Sequence, residues 1–243
     1  METYQRQDRG AMNCPWCGGN KITHNEHVSY TAPYLSVELH GAKIPMQTIA
    51  LFSTCECGLI FQENKFSDKW YDWFYSSGTY RQTLGISQED MDADENLRAI
   101  KITDWLWNRI DFYRHLDVGA SRGYFLQNTK ERFGCQVDWL DKNESYKIID
   151  HDHFDNPDLV SAIHVLEHVT DPIKELTTWS KMTSKYLLIE VPGLNTKGGA
   201  LRFAHLYYFP PELLKSKIIE LGFDIVDMET EPNTRIFAKK IDK

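Results

Sequence analysis

Two groups of residues in this chain have the types and spacing to do chemistry. The first is Cys14-Pro-Trp-Cys17-Gly-Gly together with Cys55-Glu-Cys57-Gly, which places four of the five cysteines in the first 60 residues, with Cys135 far downstream. A cysteine hairpin followed by glycine turns backbone N–H groups toward sulfur, and two such knuckles offer four thiolates to one tetrahedral Zn²⁺. The second pair is C-x-C where a zinc ribbon has C-x2-C. Its knuckle is therefore tighter, or one ligand comes from His24, His27 or His40; a redox dithiol is the competing chemistry. The second group is the tract His164-Val-Leu-Glu167-His168. A histidine, with an unperturbed pKa of about 6.5, suits removal of a proton from an alcohol, so His168 is the candidate general base, and Glu167 would orient it or bind an acceptor hydroxyl. The same tract also fits the H-x-x-E-H pattern of a zinc peptidase, which needs both histidines one helical turn apart and a third ligand.

Between these groups lies Tyr113-Arg-His-Leu-Asp117-Val-Gly119-Ala120-Ser121-Arg-Gly123-Tyr-Phe. It reads as a short strand ending at Asp117, a glycine turn, and a helix to about Arg132. It is neither the dinucleotide fingerprint, because Ser121 and Tyr124 stand where glycines are needed, nor a P-loop, because no Gly-Lys-Ser/Thr follows. About twenty residues on, the strand from Cys135 ends in Asp141, the position at which a doubly wound fold holds a ribose diol with a carboxylate.

The rest of the chain supplies the elements that position these residues. Three β-rich stretches between the cysteine knuckles, ITHNEHVSYT, LSVEL and QTIALFST, are set apart by Ala32-Pro33 and Gly41 and predict a small antiparallel sheet. The run from Lys65 to Tyr80 has an aromatic helical face. Residues Ser87 to Trp107 form an amphipathic helix opened at its acidic end. After the glycine turn, strands and helices alternate: KIID, DLVSAI, a helix from about Pro172 to Thr183, KYLLIEVP, a helix from about Pro211 to Leu221, and a closing antiparallel pair, FDIVDME and RIFAKK. The expected division is a zinc-ribbon-like module over 1–64, a helical connection over 65–110 and a Rossmann-like domain over 111–243.

The succession LDVGASRG, VDWLD, DLVSAIHVLEHVTDP, YLLIEVPG and HLYYFPPELLKSKIIELGFDIV resembles the class I S-adenosylmethionine-dependent methyltransferases with a V-L-E-H-V motif after the fourth strand. The cysteine pairs, CGLIFQ and the Y-x-x-F-Y helix resemble the zinc-binding N-terminal part of the sugar and small-molecule methyltransferases of that branch. The resemblance implies a Rossmann-like α/β sheet with helices on both faces, and S-adenosylmethionine and structural zinc as cofactors. It implies that Asp117, Gly119, Ala120, Ser121 and Gly123 lie along the methionine and ribose, that Asp141 holds the ribose hydroxyls, that Asp152 in the loop 150–153 flanks adenine, and that His164 sits beside the cofactor. It strengthens His168 as base. It also implies a sugar or sugar-nucleotide acceptor, methylated on oxygen. Tyr75, Tyr80, Arg81, His205 and Tyr208 are the candidates to close over that acceptor, His205 and Tyr80 first among them. Ser121 in place of the middle glycine, the short run from Asp141 to Asp150 and the compressed second cysteine pair depart from the pattern.

Composition narrows the partners. Over 243 residues the chain carries 27 Lys and Arg against 35 Asp and Glu, a net charge of −8, with a pI of about 5.6, the wrong sign for tracking a nucleic-acid backbone. A methyltransferase acting on RNA or a modified nucleotide is the alternative, and a non-catalytic zinc-bearing binding module is a further one. The most apolar stretch, Tyr186 to Val191, is too short for a bilayer and is interrupted by Glu190, and the N-terminus has no apolar signal region. A soluble, cytoplasmic protein acting on a small molecule is expected.

Overall fold

The computed structural model describes residues 12–39, 42–76, 87–107, 109–143, 152–194, 201 and 204–241, with side chains described outside 24–49. Two sheets organise it. The larger has six strands: β4 (Arg114–Val118), β5 (Gln136–Leu140), β6 (Leu159–Ile163), β7 (Tyr186–Pro192), β9 (Phe223–Glu229) and β10 (Asn233–Lys240), in the order β5-β4-β6-β7-β10-β9. The first four in that order are parallel, and β10 runs antiparallel to both its neighbours. This is the doubly wound arrangement the strand and helix rhythm predicts, with the closing antiparallel pair at one edge.

Its central strands are buried on both faces, which is why LVSAI and YLLIEVP read as nearly unbroken apolar runs. Alternate residues serve two cores. Leu187, Ile189 and Val191 pack on one side with Val160, Ala162, Leu214 and Ile218. Leu188 and Phe237 face the other, with Leu159, Val137, Leu126 and Ile102. The helices start where the sequence provides caps. Ser87 accepts the Asp90 N–H ahead of α2 (Gln88–Leu106), and Asp171 accepts the Lys174 N–H ahead of α4 (Pro172–Met182), whose first residue is proline. Between them, α3 (Tyr124–Phe133) follows the glycine turn, and α5 (Pro211–Glu220) precedes the edge pair.

The smaller sheet has the order β1-β2-β3-β8 and corrects the N-terminal expectation in two ways. Residues 22–39 form one strand, β1 (Ile22–Leu39), paired with β2 (Ala42–Cys55); Ala32-Pro33 produces a register shift between Ala32 and Ser36 rather than a turn. A proline can interrupt a ladder without reversing the chain when the strand bulges there. The second correction is β8 (Tyr207–Tyr208), which pairs with β3 (Ile60–Gln62) although it lies 145 or more positions further along the chain. Residues Cys14, Trp16, Cys55, Leu59 and Phe61 accordingly share a core with β6 and β7. Trp16 meets Phe209 at a ring separation of 5.2 Å, and the hydroxyl of buried Tyr207 donates to Thr170 O at 2.7 Å. The aromatic helix α1 (Asp68–Ser76) buries Tyr71 and Phe74. Among the described residues no helix is long and apolar enough to cross a membrane.

Candidate functional site

A cavity of about 1280 Å³ opens at the C-terminal ends of β4, β6 and β7, the place where open α/β sheets collect ligands. Along one rim lie Asp117, Gly119, Ala120, Ser121 and Asp141. Asp117, at the end of β4, is buried and accepts the Ser161 hydroxyl at 2.5 Å. Burial chiefly, and the Asp141 charge secondarily, push its carboxyl up to about 7, against the opposing Ser161 bond. Below it, His115 joins Ser161 (2.7 Å) and Thr129 (2.9 Å), and full burial drives its pKa down to about 3.

The turn itself is shaped by backbone. Gly119 has φ +71°, and a Cβ there would stand 2.4 Å from Val165 Cγ2, so both conformation and space exclude a side chain. Ser121 has φ +53°, the left-handed region that makes glycine usual at this position. Its N–H donates to Asp141 Oδ2 at 2.8 Å and its hydroxyl to Glu95 Oε2 at 3.1 Å, two bonds that offset the strain. Asp141 Oδ1 takes the Asn143 N–H at 2.8 Å. Two backbone donors thus fix this carboxylate while leaving acceptor capacity for a diol, which fits the ribose of an adenosine cofactor. Gly123 starts α3 at φ +75° and is not part of the cavity lining. Asp152 is also away from the lining: its N–H donates to Val137 O and its carboxylate accepts the Val137 N–H. Asp150 lies outside the described residues.

The opposite rim gathers His164, His168 and His205 around Glu167. The tract after β6 is a turn and not a helix, with His164 at φ +55°, so the helical H-x-x-E-H peptidase geometry is absent. His164 lines the cavity, yet both its nitrogens reach carboxylates, Nδ1 to Glu167 Oε1 at 3.3 Å and Nε2 to Glu190 Oε1 at 3.1 Å. Burial opposes charge on this ring, but the two glutamates prevail and hold its pKa above the ordinary value. Glu190, fully buried on β7, also takes Arg235 Nε at 2.6 Å and Asn233 Nδ2 at 3.0 Å, and Arg235 reaches Glu229 as well.

His168 is held by its Nδ1, which lies 2.8 Å from Ala204 O and 3.0 Å from the Tyr75 hydroxyl. A carbonyl only accepts, so Nδ1 carries the proton and the lone pair of the neutral ring falls on Nε2. That Nε2 is 3.6 Å from Glu167 Oε1, and the His205 ring packs at 4.8 Å from the His168 ring. His205 is 5 % exposed and lines the cavity with His168. Its segment is tied down on both sides, since Leu206 N donates to Glu167 O and Gln62 N donates to Leu206 O. Glu167, His168 and His205 are therefore brought together. Tyr80 and Arg81 lie outside the described residues, and Tyr208 is on β8 away from the cavity lining.

Glu190, Asn233 and Arg235 were not singled out as site residues by sequence. The signal for Glu190 was a single acid inside the most apolar strand, which only a buried ion pair or a site accommodates. Arg235 lies on the edge strand, with nothing local to point at it.

The four N-terminal cysteines converge. Cys14 and Cys57 sulfurs are 3.8 Å apart, Cys17 and Cys55 sulfurs 3.5 Å, and all four lie within 4.8 Å of one another, with no disulfide among them. The N–H groups of Trp16 and Gly19 point at Cys14 and Cys17 sulfur at 3.5 and 3.4 Å. Four sulfurs about 2.3 Å from one tetrahedral ion stand roughly 3.8 Å apart, so this set fits zinc. The side chains of His24, His27 and His40 lie outside those described.

Residues 86–227, more than half of the chain, match the family described as "Methyltransferase domain". No curated protein matches the sequence. Among solved structures, the chain is similar to magnesium protoporphyrin IX methyltransferase from Synechocystis PCC 6803, with 14% identity, a TM-score of 0.52, and 73% of this chain and 100% of that one covered, in a form with bound SAM. The SAH-bound form of that enzyme gives 15% identity, a TM-score of 0.52, and 71% and 99% coverage. A SAM-dependent methyltransferase from Archaeoglobus fulgidus gives 20% identity, a TM-score of 0.47, and 59% and 93% coverage. With the parallel sheet, the glycine turn and the carboxylate that follows it, the match shows that the chain belongs to the methyltransferase-domain family and is a class I S-adenosylmethionine-dependent methyltransferase.

Proposed function

We propose that the chain methylates a hydroxyl of a small, sugar-like molecule, with His168 receiving the acceptor's proton. When bound, S-adenosylmethionine supplies an electrophilic methyl on a sulfonium. Asp141 would hold its ribose, with Asp117, Gly119, Ala120 and Ser121 along the same rim. The observation that carries the proposal is the 2.8 Å contact of His168 Nδ1 with Ala204 O. Its Nδ1 is committed to Ala204 O, so its basic nitrogen belongs to the face it shares with Glu167 and His205, in a cavity that also reaches Asp141. Buried Glu167, with Oε1 3.6 Å from His168 Nε2, stabilises the imidazolium formed when the proton arrives.

The cavity exceeds what one drug-sized ligand fills, leaving room for an acceptor beside the cofactor. Asp94, Glu95, Glu175, Glu229 and Glu231 among its lining, and the net charge of −8, disfavour a polyanionic strand as that acceptor. We further propose that Cys14, Cys17, Cys55 and Cys57 bind a structural zinc, as in the zinc-bearing branch that the N-terminal sequence resembles. The ion would brace β3, which pairs with β8 next to His205.

Methyl transfer from labelled S-adenosylmethionine to a panel of nucleotide sugars, free sugars, nucleosides and RNA tests this reading. The expected result is a methyl ether on a sugar-like acceptor, with kcat for His168→Ala reduced about 10²- to 10⁴-fold and the affinity for S-adenosylhomocysteine unchanged. Transfer to RNA alone, or a His168→Ala variant with full kcat, would overturn it.

A further inference from the structure

Glu167 presents an anomaly that proton acceptance does not explain. The residue is 0 % exposed, and neither carboxylate oxygen has a hydrogen bond; the nearest nitrogens, His164 Nδ1 and His168 Nε2, stand at 3.3 and 3.6 Å. The His164 ring pairs with Oε1 at 3.3 Å, but a buried carboxylate with no hydrogen bond to either oxygen is one that a cation can complete. Its surroundings are suited to one. One ligand atom each from Glu167, His168 and His205 lies within 4.8 Å of the others, an arrangement of one carboxylate and two imidazoles.

The orientation of His168 adds a second, independent mark. A metal-binding histidine characteristically donates its other ring N–H to a carbonyl or carboxylate, which fixes the ring and raises the basicity of the ligating nitrogen. His168 Nδ1 does this with Ala204 O at 2.8 Å, leaving Nε2 toward Glu167. Ligand atoms about 2.1 Å from a common ion and separated by 90–110° stand roughly 3.0–3.4 Å apart, so the 3.6 Å between His168 Nε2 and Glu167 Oε1 needs only a small contraction. His164 is engaged elsewhere, its Nε2 being on Glu190.

We infer that Glu167, His168 and His205 form a binding site for a divalent first-row cation at the floor of the acceptor cavity. One carboxylate and two imidazoles suit manganese, iron, cobalt or zinc, and set this site apart from the all-thiolate cluster near the N-terminus, which selects softer ions. His168 and His205 line the cavity, so the cation meets an acceptor hydroxyl there. The inference deepens the hydroxyl-methylation reading: a cation on His168 Nε2 takes the lone pair that otherwise accepts the proton, and instead lowers the pKa of the coordinated hydroxyl, whose proton leaves to solvent as the methyl ether forms. Activity is then increased by the cation, and His168 serves as base only in its absence.

Manganese is the probe, because thiolates bind it poorly and its free aqueous form has a distinct paramagnetic resonance signal. The full-length protein, desalted without chelator and with its zinc content measured, is titrated with Mn²⁺, and S-adenosylhomocysteine binding is measured on the same samples. One Mn²⁺ bound per chain is expected, with affinity lowered at least tenfold in Glu167→Gln and in His205→Ala. S-adenosylhomocysteine affinity should stay within about twofold in both site variants, which separates loss of the cation from loss of the fold. Absence of Mn²⁺ binding together with no Zn²⁺ bound beyond the cysteine set, or Mn²⁺ binding that survives both site variants, overturns the inference. Failure to bind S-adenosylhomocysteine in the wild type, with Mn²⁺ still bound, would leave the cation site standing and remove the methylation reading on which its role rests.

Discussion

The rim proposed to meet the cofactor takes Asp117, Gly119, Ser121 and Asp141 from one continuous βαβ unit, whereas the proposed acceptor rim draws Tyr75, Glu167, His168, Glu190, Ala204, His205 and Arg235 from scattered segments. On the first rim the chain's local conformation places the groups: a strand end, a turn with left-handed residues, and a carboxylate clamped by two backbone N–H groups. On the second, tertiary structure does so. His168 points where it does because Ala204 O and Tyr75 hold it, and Ala204 and His205 are where they are because β8 is a strand of the N-terminal sheet. The cofactor rim is shaped mainly by one segment, with Glu95 and Ser161 adding bonds from outside it, and the acceptor rim is as stable as its supports.

Removing the proposed zinc puts the greatest strain on that contrast. Structural zinc contributes on the order of 10 kcal/mol to folding of small modules, so chelation or Cys17→Ser should disorganise the cysteine knuckles and, through β3 and β8, the His205 segment. Methyl transfer should fall to background, while S-adenosylhomocysteine affinity, followed by calorimetry, should change less than tenfold. Equal loss of both would show the rims to be one unit.

A smaller effect is expected at Arg235, which is 13% exposed in its side chain and pairs with fully buried Glu190 at 2.6 Å. Arg235→Met leaves that carboxylate with His164 and Asn233 alone and should cost about 3–5 kcal/mol in urea unfolding. Because His164 bridges Glu190 and Glu167, kcat should fall with stability while cofactor affinity holds.

An effect of similar size belongs to the cofactor rim. Asp117, raised to about 7, holds its proton more tightly folded than unfolded. Its contribution to stability is therefore full below about pH 4, the ordinary carboxyl range, and is lost as pH rises to about 7, at roughly 1.4 kcal/mol per pH unit. Relative to Asp117→Asn, urea unfolding of the ligand-free wild type between pH 4 and 7 should lose stability at about this slope, because buried His115, held down to about 3, contributes an opposite slope equally to both proteins.

The same contrast governs how much could be read from sequence. The larger sheet, its helices and the turn after β4 were legible because alternation of apolar runs, caps and the glycine turn are local signals. Ser121 stood out as a departure, and its φ of +53° gives the reason glycine is usual there. The V-L-E-H-V tract located Glu167 and His168, but not that Glu167 lacks hydrogen bonds or that Glu190, Asn233 and Arg235 gather behind His164, since those follow from packing β7 against β10. Two-residue β8 carries no periodicity of its own, and Ala32-Pro33 has the composition of a turn although the strand passes through it. Asp152, which the resemblance places beside adenine, accepts the Val137 N–H at 3.4 Å.

The most direct test of the account is calorimetric titration of the protein and of Asp141→Ala with S-adenosylhomocysteine. Hydrogen bonds to a charged group contribute about 1.5–3 kcal/mol each, so binding at one site per chain, weakened about 10²-fold in the variant, is the predicted result. Unaltered affinity in Asp141→Ala, or no binding to the wild type, would contradict the placement of the cofactor on this rim.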